Sequence, residues 1–131
     1  MEIETLIIDD DDIIVFIHER ILIDCKFSVV PKSFHSAKQA LNYMQTQPAK
    51  RYLIFLDINM PEMNGWEFME ALTAGDLDKQ FAVLLVSSSV NVSDHEKSKN
   101  YPCVLNYIEK PLDKEKLQTM KESEAFKNFC A

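Results

Sequence analysis

The stretch Tyr52-Leu53-Ile54-Phe55-Leu56-Asp57 decides the fold. Five apolar residues in unbroken succession leave no polar face for water, so a strand built from them must be covered on both sides, as in a parallel sheet flanked by helices. The acid that closes the run is thereby delivered to the carboxyl edge of that sheet. Residues 81–86 repeat the pattern and end in Ser87. Upstream, residues 6–8 form a first strand that runs straight into Asp9, Asp10, Asp11 and Asp12. Residues 27–30 read as a second strand, placed at a sheet edge because Pro31 lacks a ladder donor. Residues 104–108 supply a fifth strand, closely followed by Lys110 and Pro111.

Amphipathic segments separate these strands. Asp11 or Asp12 is placed to cap a helix with Ile13, Ile14, Phe16, Ile17, Ile21 and Leu22 as its apolar face and His18, Glu19 and Arg20 outward. Ser36 with Gln39, and Ser93 with Glu96, have capping-box spacing. Ala40, Leu41 and Met44 give the second helix a core face, and Asn64-Gly65 turns into a third carrying Trp66, Met69 and Leu72 inward. Gly65 and Gly75 both fall where the backbone is expected to need φ > 0. Pro102 ends the fourth helix and Asp113 begins the last one, whose register is irregular: Leu117 and Met120 predict a core position near Glu124, whereas Phe126, Phe129 and Cys130 point elsewhere.

Strands alternating with helices specify an α/β fold with a doubly wound five-stranded parallel sheet. An edge second strand selects the order 2-1-3-4-5, the flavodoxin-like (βα)5 arrangement. Strands one and three are then neighbours, and the topological switch between them is where such folds bind ligands.

Composition narrows the function. With 131 residues, the chain has the size of a single domain spanning 1–131. Its 14 Lys and Arg against 21 Asp and Glu give a net charge of −7, the wrong sign for a nucleic-acid surface. Cys25, Cys103 and Cys130 are odd in number and lack CxxC spacing, so neither a disulfide framework nor a zinc site is indicated. No apolar run approaches the ~20 residues of a membrane span, and the acidic N-terminus is no signal peptide, so a reduced, cytoplasmic protein without membrane contact is expected.

The predicted topology gathers Asp9, Asp10, Asp57, Ser87 and Lys110 at one edge. Three crowded carboxylates must share protons or hold a hard cation, and Mg²⁺ suits a few carboxylates completed by water and a phosphate oxygen. A carboxylate beside a hydroxyl, an ammonium and a bound metal is equipped to accept a phosphoryl group. The motifs LIIDD (6–10), LDINMPEMNG (56–65), VSS (86–88) and YIEKP (107–111) resemble, in order and spacing, those of the receiver domains of two-component response regulators.

The resemblance implies that Asp57 is the phospho-acceptor, taking a phosphoryl group from a sensor histidine kinase or a phosphotransfer protein. It implies that Asp9, Asp10, Asp57 and the main-chain carbonyl of Asn59 hold Mg²⁺, and that Lys110 pairs with the phosphoryl oxygens. Ser87 would bond the phosphoryl group and Tyr107 would be the aromatic that follows it. Lys110-Pro111 matches the family's cis peptide position, and Asn59 and Ser89 match its lifetime-tuning positions. Ser87 stands where Thr is more frequent, and Asn100-Tyr101-Pro102-Cys103 replaces the usual run of small residues. Because 20 residues follow Pro111, the expectation is a stand-alone switch without an output domain, monomeric or dimerising on phosphorylation, that contacts a downstream protein.

Plainer readings attach to several residues. Asp11 and Asp12 read as helix-start carboxylates, Trp66 as packed, and the three histidines as solvated or hydrogen-bonded. The cysteines read as small hydrophobes, with Cys130 the most exposed, and Phe126 and Phe129 as core or terminal packing, with a docking patch as the alternative. Two rivals are an aspartate-nucleophile phosphohydrolase, since Asp9-Asp10-Asp11 loosely resembles the start of the haloacid-dehalogenase family, and a phosphorylation-independent binding module of the same fold.

Overall fold

The computed structural model describes residues 3–26, 30–47, 50–75, 80–88 and 91–131. Its elements are β1 (Ile3–Ile8), α1 (Asp12–Asp24), β2 (Lys32–Phe34), α2 (Ala37–Thr46), β3 (Arg51–Leu56), α3 (Gly65–Ala74), β4 (Gln80–Ser87), α4 (Val92–Ser98), β5 (Val104–Glu109), α5 (Lys114–Lys121) and α6 (Glu124–Cys130). The strands form one parallel sheet in the order β2-β1-β3-β4-β5, as the edge argument required.

The apolar runs work by alternation. Leu6 and Ile8, Tyr52, Ile54 and Leu56, and Val83 and Leu85 point into a core shared with α2 and α3. Ile7, Leu53 and Phe55, and Ala82, Leu84 and Val86 point the other way, into a core shared with α1 and α5. Residues 6–8, 52–56 and 82–86 are therefore apolar on both pleats, which explains runs without a polar alternate. Ile8 is opposite Leu56, and Leu56 opposite Leu85, so these strands end nearly level.

Five sequence expectations need correction. The second strand is Lys32–Phe34, after Pro31; Val30 lies in a bend, and residues 27–29 lie outside the described residues. On α1 the inward stripe is Val15, His18 and Leu22, while Ile13 and Phe16 are 71% and 64% exposed. Residues 13–17 are apolar all round, so their periodicity could not choose the face. Asn91, not Ser93, caps α4: its Oδ1 accepts from Ser93 N at 2.9 Å. Glu96 pairs with Lys99 instead.

The remaining corrections concern the glycines and the C-terminal helix. Neither glycine has positive φ; among the described residues that conformation belongs to Lys26 and Glu62. Gly65 is needed for close approach, since a Cβ there would lie 2.9 Å from Asp57 O and 3.0 Å from Ile58 Cα. Finally, the irregular last helix is two helices. Chain direction changes at Glu122 and Ser123, Ser123 Oγ caps α6 through Phe126 N, and Phe126 and Phe129 pack on the α1/α5 core. Arg51 Nη1 donates to Phe129 O at 2.9 Å and holds the end of α6 to the start of β3.

Candidate functional site

The carboxyl edge is assembled by the backbone. Asp57 N donates to Ile8 O at 2.9 Å, one residue past the last paired positions of β1 and β3, and Asp9 N donates to Phe34 O at 3.1 Å. Asp9 and Asp57 therefore leave adjacent strands side by side. Lys110 arrives from β5, its N donating to Ser87 O at 2.7 Å, and the peptide bond to Pro111 is cis.

The side chains converge. Lys110 Nζ lies 2.7 Å from Asp9 Oδ2 and 3.3 Å from Asp57 Oδ1. The other oxygen of Asp9 accepts from Asp11 N at 3.0 Å. Carboxylate oxygens of Asp9, Asp10 and Asp57 all lie within 4.8 Å of one another. Asp9 and Asp57 are buried and Asp10 is exposed, at the mouth of a cleft of about 460 Å³. Asp11, Asn59, Ser88, Ile14 and Ile17 also line this cleft.

Electrostatics follow from that crowding. Burial first, then the charge of Asp9, raises the Asp57 carboxyl from 3.8 to about 6, although Lys110 opposes the rise. Burial disfavours the Lys110 ammonium, yet bonds and charge from Asp9 and Asp57 outweigh it and hold its pKa above the ordinary value. Three carboxylates against one ammonium leave an excess of hard, anionic oxygen donors. That donor set fits Mg²⁺, which takes carboxylate oxygens and retains water.

The remaining expected residues are placed as follows. Asp11 Oδ1 caps α1 through Ile13 N and Ile14 N, and Asp12 pairs with His35 at 2.7 Å, so the four-aspartate run divides between site and helix start. Ser87 is fully buried at the end of β4, whereas Ser88 lines the cleft. Ser89 lies outside the described residues. Tyr107 is half-buried on β5, its ring centroid 5.7 Å from that of His95, in surface hollows that share no residue with the acidic cleft. Trp66 is packed, stacked on Tyr101 and covered by Lys97, which explains how residues 100–103 substitute for small residues: Tyr101 is used to brace α3. Cys25 and Cys103 are half-buried and Cys130 is exposed.

Sequence reasoning missed Ser88, Ile14 and Ile17 as residues that line the cleft. Ser88 was visible in the VSS motif; the others depended on which face of α1 turns inward.

The family model of the response regulator receiver domain matches residues 5–122. The chain belongs to that family. Receiver domains of this kind are the response-regulator component of two-component systems. The chain is similar to a response regulator receiver protein from Dyadobacter fermentans, at 26% identity and TM-score 0.81, over 92% of this chain and 96% of that one. It is also similar to a two-component response regulator from Cytophaga hutchinsonii, at 29% identity and TM-score 0.78, over 90% of this chain and 92% of that one. A curated relative, the transcriptional regulatory protein CitT of Halalkalibacterium halodurans, is 26% identical over 114 residues, 87% of this chain and 48% of that protein. The receiver thus spans about half the length of that relative. No helix among its described residues is long and apolar enough to cross a membrane.

Proposed function

We propose that this receiver is a phosphorylation switch in which Asp57 takes a phosphoryl group from a phosphohistidine of a sensor histidine kinase or a phosphotransfer protein. The observation that carries the reading is the convergence of Asp9, Asp10 and Asp57 oxygens within 4.8 Å, with Lys110 Nζ reaching both Asp9 and Asp57. Asp9, Asp10, Asp57 and the main-chain carbonyl of Asn59 would hold Mg²⁺. When bound, the metal supplies positive charge that offsets the carboxylates and the phosphoryl oxygens.

The chain's own residues do the rest. At neutral pH the Asp57 carboxyl is largely ionised despite its raised pKa, and one oxygen attacks phosphorus as the P–N bond to the donor imidazole breaks and its electron pair stays on nitrogen. Lys110 exchanges a carboxylate for a phosphoryl oxygen, and little covalent assistance is required, since positioning and charge neutralisation dominate such transfers. Ser87, at the end of β4 beside the Lys110 connector, bonds the phosphoryl group. Tyr107 on β5 follows, biasing the α4–β5–α5 face that contacts a downstream protein.

A protein donor is favoured by what borders the cleft. Ile17 lines it, and Ile13 and Phe16 continue the same exposed stripe along α1. Such apolar exposure beside a charged site suits burial under a partner. Both oxygens of Asp9 are already bonded, which disfavours it as the nucleophile of a phosphohydrolase.

Incubation with Mg²⁺ and a small-molecule phosphodonor should add one phosphoryl group by intact mass, and Asp57→Asn should add none. An undiminished mass shift in the variant, or continuous phosphate release through Asp9, would overturn the reading.

A further inference from the structure

The connector between β5 and α5 carries Lys110, and four backbone groups at and beside it have defined partners. Lys110 N donates to Ser87 O, extending the ladder of β4 and β5. Lys116 Nζ donates to Glu109 O at 2.8 Å and to Pro111 O at 3.0 Å. Leu112 N donates to His18 Nε2 at 3.2 Å.

The last acceptor is unusual. His18 is 1% exposed and belongs to the inward stripe of α1 with Val15 and Leu22, where an aliphatic side chain would satisfy packing alone. A buried imidazole is unfavourable unless its polar atoms are bonded. To accept from Leu112 N, Nε2 must present its lone pair, so the ring is neutral with its proton on Nδ1. Burial, then the nearby Lys110 charge, lowers the His18 pKa to about 4, which keeps that form in place at neutral pH.

We propose that His18 is a positioning residue for Lys110: by holding Leu112 N it fixes the connector that sets the ammonium between Asp9 and Asp57. The arrangement joins two parts of the site through one rigid element. The Asp11 cap ties the first turn of α1 to the Asp9-Asp10 edge, and His18, less than two turns further on, ties the same helix to the Lys110 connector. His18 touches no reacting atom. It acts through the placement of Lys110, and misplacement of a charge by about 1 Å can cost up to about 10²-fold in rate. The inference rests on Asp57 being the phospho-acceptor.

The test compares wild type, His18→Leu, His18→Gln and Val15→Ala in the rate of labelling by a small-molecule phosphodonor with Mg²⁺, alongside thermal unfolding. Gln places an amide oxygen near the position of Nε2 and can accept from Leu112 N; Leu fills the space without an acceptor. Val15→Ala weakens the same helix face and the core it shares with Leu112 but leaves the His18 acceptor for Leu112 N in place. The expected result is labelling slowed about tenfold or more in His18→Leu, recovered in His18→Gln, and normal in Val15→Ala even though that variant unfolds more easily. Normal labelling in His18→Leu, equal slowing in His18→Gln, or equal slowing in Val15→Ala would each overturn the inference. Absence of labelling in wild type would instead overturn the reading of Asp57, and the inference with it.

Discussion

Replacing Asp57 by Asn should stabilise the metal-free protein at neutral pH, and the gain should disappear in acid. Burial and Asp9 raise the Asp57 carboxyl from 3.8 to about 6 in the folded state. A folded-state pKa above the unfolded one means that the native state binds its proton more tightly. Ionising Asp57 therefore costs stability: nothing well below 3.8, increasingly between 3.8 and about 6, and the full amount above about 6. Each pH unit of difference is worth about 1.4 kcal/mol, so the full cost is on the order of 3 kcal/mol. Asn at this position does not titrate and escapes it.

The assay is urea unfolding of wild type and Asp57→Asn with a chelator present, from about pH 4 to about pH 8. The variant-minus-wild-type difference should widen by roughly 2 to 3 kcal/mol across that range. Taking the difference cancels His18, whose lowered pKa of about 4 works in the opposite sense and costs stability as pH falls from 6.5. Saturating Mg²⁺ should narrow the difference at neutral pH, because a ligand stabilises the state that binds it. A difference that is flat with pH, or that widens toward acid, would refute the account of Asp57 as a buried carboxylate held against its preference.

Three further outcomes are expected. Glu62→Gly should raise stability by up to about 1 kcal/mol in urea unfolding, since Glu62 sits at φ 67, a conformation costly for a residue with Cβ. Gly65→Ala should lose about 1 to 3 kcal/mol and slow phosphodonor labelling, because its Cβ would press on the Asp57 carbonyl and Ile58 Cα, both backbone and unable to rotate aside. Phe16→Asp should leave stability within about 0.5 kcal/mol and small-molecule labelling unchanged, while slowing transfer from a phosphohistidine protein; equal rates from both donors would show that the α1 stripe is not used.

The sequence by itself determined the sheet and the placement of Asp9, Asp57 and Lys110 at one edge of it. Runs such as residues 52–56 are apolar at every position, and only a strand covered on both faces tolerates that, so the parallel sheet and its order were legible. Asp9, Asp57 and Lys110 were legible for the same reason: each lies at or just past the end of such a strand, where chain direction and strand order leave little freedom.

The tertiary structure decided what local patterns leave degenerate. In residues 13–17 every side chain is apolar, so the helix could bury any face; the link from Asp9 through the Asp11 cap sets its rotation, turning His18 inward and leaving Phe16 in water. The β2 and α4 boundaries depended on which of several competent residues took the edge pairing and the cap. The role of Gly65 depended on a backbone approach from Asp57 that its own neighbours in sequence do not reveal. Strand identity follows from composition along the chain, whereas helix rotation, capping and close approach follow from contacts between segments far apart in it. The Leu112 N–H that meets His18, 94 residues away, is such a contact.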